Sequence, residues 1–228
     1  MPLARTSSGP APKADEAPLD VIVRTLEEEI VLGRLHPRER LVEDDLLARF
    51  GAKRHTVRQA LMELDRMGLV ERVPNRGAQV RSYSAEELHQ LYALRGLLET
   101  EAARLIPLPL ERPDLEEIAA LQAGHDAACA ARDFAAVFRA NVAFHRKLFS
   151  CCGNRFLAAA IEAAAERAHS VRFLVVVNEA ERERARLQHH EMIAALRSGD
   201  RDGLVRLCRD HLPASINTYL NAFGGTAA

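Results

Sequence analysis

The 228-residue chain has no tryptophan, only three tyrosines, and eight phenylalanines. Its core must therefore be filled mostly by aliphatic side chains, and alanine and leucine dominate its second half. No apolar run approaches the 18 or more residues that cross a bilayer, and the stretch Phe173 to Val177 is far too short to do so. Residues 1–18 lack the apolar segment of a signal peptide, so a cytoplasmic location is expected. The four cysteines, Cys129, Cys151, Cys152 and Cys208, contain no CxxC pair, which points to reduced thiols rather than a disulfide or a metal knuckle. Single-signed charge is missing too. The net charge is -1, so nucleic-acid binding can be argued only from a local asymmetry.

Residues 1–18 are rich in Pro, Ala and Ser and read as a disordered leader. Short punctuated elements follow to about residue 82. Val23, Leu26, Ile30 and Val31 share one face of a first helix that Gly33 ends. A second helix over 43–50 turns Leu46, Leu47 and Phe50 inward, and Gly51 breaks it. A third, over 54–67, aligns Val57, Ala60, Leu61 and Leu64 before Gly68. Residues 69–73 and 78–81 then alternate apolar and polar around a turn over 74–77, the pattern of a hairpin. Three helices and a hairpin, with a glycine turn between helices two and three, describe a winged helix-turn-helix.

The local charge agrees. From Arg49 to Arg81 there are eight Arg and Lys residues against three acids, an excess of five in a chain that is net acidic elsewhere. The excess sits on the N-terminal half of the third helix and on the hairpin, the parts such a domain presents to phosphates.

The segment from Val23 to Val80 resembles the GntR family of regulators. The family's I-x-x-G-x-L-x-P-G, L-x-E-x-x-L-A, G-V-S-R-x-x-V-R-x-A-L and G-L-V-x-x-x-x-x-R-G-x-x-V patterns appear here as "IVLGRLHPR", "LVEDDLLA", "GAKRHTVRQAL" and "GLVERVPNRGAQV". The resemblance implies DNA contacts by Arg54 and Arg58, flanked by Lys53, His55 and Thr56, with Asn75, Arg76 and Gly77 at the wing tip. Arginine suits this role because its fork binds guanine bidentately. Three departures stand out: Arg38 replaces the glycine after Pro37, Lys53 replaces a serine, and Asp44 places an acid where the family often has a polar or basic residue near phosphate.

From residue 85 the pattern is helical throughout. A long amphipathic helix over 85–105 aligns Leu88, Leu91, Leu94, Leu98, Ala102 and Leu105. Five more helices are expected near 113–131, 134–150, 154–177, 181–197 and 201–222. Asn141 and His145 are spaced i, i+4 and share a face. His189 lies ten residues before Gly199 and His211 twelve after it, so in a helical hairpin both stand about 15–18 Å from the turn, at one level. That is what shared metal ligation requires, although each histidine alone reads as an ordinary one. His125, His169 and His190 show no comparable partner.

The strings "LYALRGLLETEAARL", "NVAFHRKLFSCCGN", "HHEMIAALRSGD" and "CRDHL" are similar to the FCD sensor domain of FadR-type GntR regulators, and six helices resemble the VanR-like branch. The expected architecture is mainly α: a winged helix-turn-helix over 19–82 and an all-α six-helix FCD bundle over 83–223. The resemblance implies a divalent-metal site that falls on Asn141, His145, His189 and His211, with Asn141 in place of the usual aspartate. Three imidazoles and an amide suit Zn or Ni better than Mg or Ca. It also implies that Arg95 faces an effector cavity, where a small carboxylate would suit it; the bland reading is an inter-helix salt bridge.

The expectation is a ligand-responsive regulator, a repressor acting as a homodimer on a double-stranded DNA operator, with no membrane partner. Two alternatives stay open. A three-histidine site with open positions could serve a metal-dependent enzyme, though no general base accompanies it. The sensor could also work without metal, through Arg95 alone.

Overall fold

The computed structural model describes residues 18–73, 77–171 and 178–212, together with Ile216 and Tyr219. The expected leader lies outside these residues except for Pro18, which opens the first helix.

The head begins with α1 (Pro18–Val31), whose Ile22, Leu26 and Ile30 are buried. Proline suits a first helical turn because its missing N–H would be unsatisfied there anyway. Strand β1 (Arg40–Leu41) follows, then α2 (Glu43–Phe50), closed by Gly51 in the left-handed region, and α3 (Arg54–Arg66). The hairpin is β2 (Val70–Val73) and β3 (Gly77–Val80). β1 was not foreseen from the sequence. It pairs antiparallel with β3, Arg40 opposite Gln79 and Leu41 opposite Ala78, giving the order β1-β3-β2. Two residues are too few to show alternation, so only the pairing reveals them. The head core joins Leu26, Leu41, Leu46, Val57, Leu61, Leu64, Leu69 and Val80. Arg38, where glycine is usual, keeps a glycine-like backbone at φ 68°. Its N–H donates to Val80 O at 2.8 Å, and Val80 N–H donates to Glu39 O, so sheet pairing holds a conformation that costs a non-glycine residue about 1–2 kcal/mol.

The sensor comprises, among the described residues, α4 (Ala85–Leu105), α5 (Arg112–Ala131), α6 (Phe134–Ser150), α7 (Arg155–Arg167), α8 (Glu179–Ser198) and α9 (Arg201–His211). Ser84 and Glu87 form a reciprocal capping box on α4, and Asp133, Asn154, Asn178 and Asp200 cap α6 to α9. Each satisfies backbone N–H groups a helix start leaves unpaired. The core packs Ile106, Ile118, Phe144, Leu148, Met192, Leu196 and Leu204.

Two expectations change. The helix expected over 154–177 ends at Arg167 and gives way to a 3₁₀ turn, His169–Val171. There Ala168 and Val171 pack on Leu88 and Tyr92, and His169 turns toward α1. Residues 172–177 lie outside the described set, as do most residues after 212. The buried face of α4 is also rotated: Leu88, Tyr92, Arg95, Glu99, Ala102 and Ala103 are inside, whereas Leu94, Leu97 and Leu105 are exposed. The leucine count misled because a charged pair takes two of the inward positions.

The head docks on the sensor through α1. Val31 joins Ala128, Val137 and Phe138 in one buried cluster. Around it lie the ion pair Arg139–Glu28, the His169 Nδ1 to Glu27 Oε1 contact at 3.2 Å, and Arg66–Glu166 at 4.0 Å.

Candidate functional site

On the head, Lys53 stands at the N-cap of α3, and Lys53, Arg54, His55 and Arg58 are all exposed. They are exposed because Val57, Ala60, Leu61 and Leu64 use the opposite face for the core. Thr56 is half-buried, its hydroxyl 3.3 Å from His55 Nε2. Gly77 opens β3 at φ 86°, with Leu41 O only 3.0 Å from where a Cβ would stand. Asn75 and Arg76 lie outside the described residues. The acid at Asp44 is visible in the sequence, but its pairing with these cations, and that of Glu43, is not. Arg54 Nη2 donates to Asp44 Oδ1 at 2.8 Å and its Nη1 to Glu43 Oε2 at 3.4 Å. Arg58 Nε donates to both oxygens of Glu43, at 3.2 and 3.0 Å.

In the sensor, α6, α8 and α9 bring His145, His189 and His211 together, with one nitrogen of each within 4.8 Å of the others. His145 Nε2 is 3.2 Å from both His189 Nε2 and His211 Nε2. Asn141 sits one turn before His145 on α6 and is half-buried. Two glutamines set the tautomers. His189 Nδ1 meets Gln122 Oε1 at 2.9 Å, while the Gln122 amide nitrogen donates to Asp126 Oδ1, which can only accept. His211 Nδ1 meets Gln188 Oε1 at 2.9 Å, and that same oxygen accepts from Arg184 Nη1. Both amide orientations are therefore anchored by a charged group, and both Nδ1 atoms carry the proton. The Nε2 lone pairs of His189 and His211 then face inward together with His145. Nitrogens about 2.0–2.1 Å from a tetrahedral zinc lie about 3.3 Å apart, so this donor set fits such an ion.

Beside the cluster lies a cavity of 450 Å³ between α4, α6 and α7, walled by Val142, Phe149, Ala158, Ala159 and Ile161 and reached by Arg95, His145, Arg146 and Arg155. Arg95 is 2% exposed. Its ion pair is with Glu99, at 2.8 Å, one turn along its own helix, which corrects the inter-helix bridge considered above. Burial works against the Arg95 charge, but Glu99 and Tyr92 more than offset it, so the guanidinium is held above its usual value and stays ionised. Among the described residues its Nη1 is buried with no hydrogen-bond partner. A donor left so costs about 1–3 kcal/mol, and an anion in the cavity would satisfy it.

The histidines first set aside do have partners. His125 packs edge-on to His189, with centroids 5.2 Å apart, and burial pushes its pKa down. His190 Nε2 lies 3.0 Å from Asp126 Oδ2. His169 lines the cavity and contacts Glu27 of the head. Glu166 likewise lines the cavity and faces Arg66, at the end of α3. One wall of the cavity is thus also the seat of the head.

A basic helix-turn-helix surface mounted on a helical bundle with a cavity defines a DNA-binding regulator with a C-terminal helical domain. Residues 19–80 match the bacterial regulatory proteins of the gntR family and residues 90–214 match the FCD domain, and the chain belongs to this family of FCD-containing GntR regulators. Its family is one of transcriptional regulators, not of enzymes. It is 24% identical over 196 residues to the uncharacterized HTH-type transcriptional regulator YdhC of Bacillus subtilis, covering 84% of each chain. It is 26% identical over 202 residues to the probable D-xylose utilization operon transcriptional repressor of Paenarthrobacter nicotinovorans, covering 88% of each. Among solved structures it is similar in fold to E. coli McbR/YncC, with a TM-score of 0.76, 21% identity, and coverage of 91% of this chain and 99% of that one. Among the described residues no helix is long and apolar enough to cross a membrane.

Proposed function

We propose that this regulator is a repressor whose hold on operator DNA is set by a small organic acid bound in the sensor cavity. The observation that carries the reading is Arg95, a buried arginine that lines a cavity of mixed apolar and charged wall and whose Nη1 has no hydrogen-bond partner among the described residues. A carboxylate would satisfy that donor, and its organic remainder would lie against Val142, Phe149 and Ile161. His145, His189 and His211, with Asn141 adjacent, would hold a divalent metal, Zn or Ni by donor type. When bound, the metal supplies a Lewis-acidic anchor for a carboxylate oxygen. Repression follows the name of the Paenarthrobacter relative. The protein acts as a homodimer, which the exposed Leu94, Leu97 and Leu105 of α4 support, and it works in the cytoplasm on DNA. Occupation of the cavity reaches the head through Glu166 and His169, changing DNA affinity by coupled equilibria.

A thermal-shift panel of carboxylic acids on the full chain tests this, since a ligand that binds only the folded state raises the melting temperature. At least one acid is expected to shift the parent and to leave Arg95→Met unshifted; an unresponsive parent sinks the effector reading. Metal content of protein purified without an affinity tag separates the metal claim. The parent should carry about one equivalent and His189→Ala far less, whereas equal content removes His189 and leaves a sensor that works through Arg95 alone.

A further inference from the structure

The arginines Arg54 and Arg58 are one turn apart on α3, yet their guanidinium groups are held in opposite ways. Arg54 is held by its two terminal nitrogens, one on Asp44 and one on Glu43. Those are the atoms that would grip a guanine edge or a phosphate. Arg58 is held from behind, by its Nε, on both oxygens of Glu43. Among the described residues no hydrogen bond engages its Nη1 or Nη2, and the side chain is 59% exposed. Glu43 itself is only 24% exposed and is fixed in the first turn of α2, so it is a firm support.

We propose that Glu43 is a positioning residue that makes Arg58 the base-reading arginine, while Asp44 keeps Arg54 as a gated phosphate contact. A guanidinium backed at Nε cannot rotate freely, and its two outward nitrogens form a fork of defined direction. Bidentate reading of guanine O6 and N7 needs such a fork, and a swinging arginine reads it poorly. Arg54 must leave Asp44 before it can touch DNA. That pair is cheap to break because Asp44 is 75% exposed, but breaking it restores a carboxylate beside the phosphates. The inference rests on the DNA-binding reading.

The test is selection by the full chain from a pool of duplexes with a randomised core, followed by fluorescence anisotropy on the selected and a scrambled duplex across a salt series. The parent should select a consensus containing a guanine that Arg58→Lys no longer enriches. Glu43→Gln should lower the selected-to-scrambled affinity ratio roughly tenfold, within the discrimination one bidentate contact provides. Its affinity for the scrambled duplex should hold or tighten, because a negative charge has gone; a merely structural defect would weaken both. Asp44→Asn should bind both duplexes about threefold tighter, with a salt slope steeper by about one phosphate contact. Full guanine enrichment by Glu43→Gln or Arg58→Lys overturns the positioning role, and unchanged affinity in Asp44→Asn overturns the gate. A parent that selects no sequence overturns the DNA-binding reading and this inference together.

Discussion

The head and the sensor bury different chemistry. Among the described residues the head buries one charged side chain, Glu29, which Arg49 grips at 2.8 Å. Its other buried side chains are apolar and its function lies outside, on α3. The sensor buries Arg95, Glu99, Thr100, Gln122, His125, His169, Arg182 and His189. Burying such groups costs free energy unless each is paired, so a fold that keeps many of them inside marks a candidate site there. The head is a platform whose candidate site lies on its surface, and the bundle is a shell whose candidate site lies inside.

Core deletion should separate the two most strongly. Leu64 and Leu148 are both fully buried, one in each core. Truncating either to alanine is expected to cost about 2–5 kcal/mol. Leu64→Ala should abolish DNA binding while metal content and the response to a carboxylate persist, and Leu148→Ala should do the reverse to the sensor. Hydrogen exchange on each half reads the result; equal loss of protection in both halves for either variant would make the chain one cooperative unit.

Sequence periodicity made the head legible, because Val57, Ala60, Leu61 and Leu64 repeat at the helical period and Gly51 and Gly68 punctuate it. The meeting of His189 and His211 was legible for a related reason: helical rise is constant, so equal counts from Gly199 reach equal heights. β1 was not, since two residues hold no pattern. The true face of α4 was hidden because leucines at 94 and 105 mimic a core stripe while Arg95 and Glu99, ionic by type, take the inside. Their i, i+4 spacing is the signal in the sequence that marks the pair. The Gln122 and Gln188 contacts join residues distant in the chain and common in type, and Glu43 with Arg58 spans a turn whose geometry no spacing rule supplies.

Between the two units, Gly68 gives a smaller and cleaner probe. It ends the recognition helix at φ 75°, and an added Cβ would stand 2.9 Å from Arg167 Cγ and 3.4 Å from the Tyr83 hydroxyl. Gly51 has a similar φ of 60° with nothing within 4 Å. Alanine at either position meets a left-handed backbone cost of about 1–2 kcal/mol. Only Gly68→Ala also presses on the seam. Its melting temperature should fall below that of Gly51→Ala by about 2 °C, and equal values would show that Arg167 yields without cost.

The smallest effect tests how the two units are joined. Burial, and then the charges of Glu162 and Glu27, hold the Glu166 carboxyl above its usual pKa, outweighing Arg66 at 4.0 Å. Because the folded value is the higher one, Glu166 contributes its stability below the unfolded carboxylate pKa, and that contribution is lost as pH rises through the folded value. Ionising this group is therefore disfavoured in the wall shared by cavity and head. Glu166→Gln should therefore raise the melting temperature by about 1–2 °C at pH 7 and leave it unchanged near pH 4, read by calorimetry. A lower melting temperature at pH 7 would mean that attraction to Arg66 governs the seam instead. The sign matters for signalling. The proposed carboxylate, bound near Glu166, would add like charge to a group already disfavoured as an anion and so would strain the wall on which α1 and α3 rest. In Glu166→Gln that repulsion is gone, and an acid that shifts the parent's melting should change its DNA affinity less.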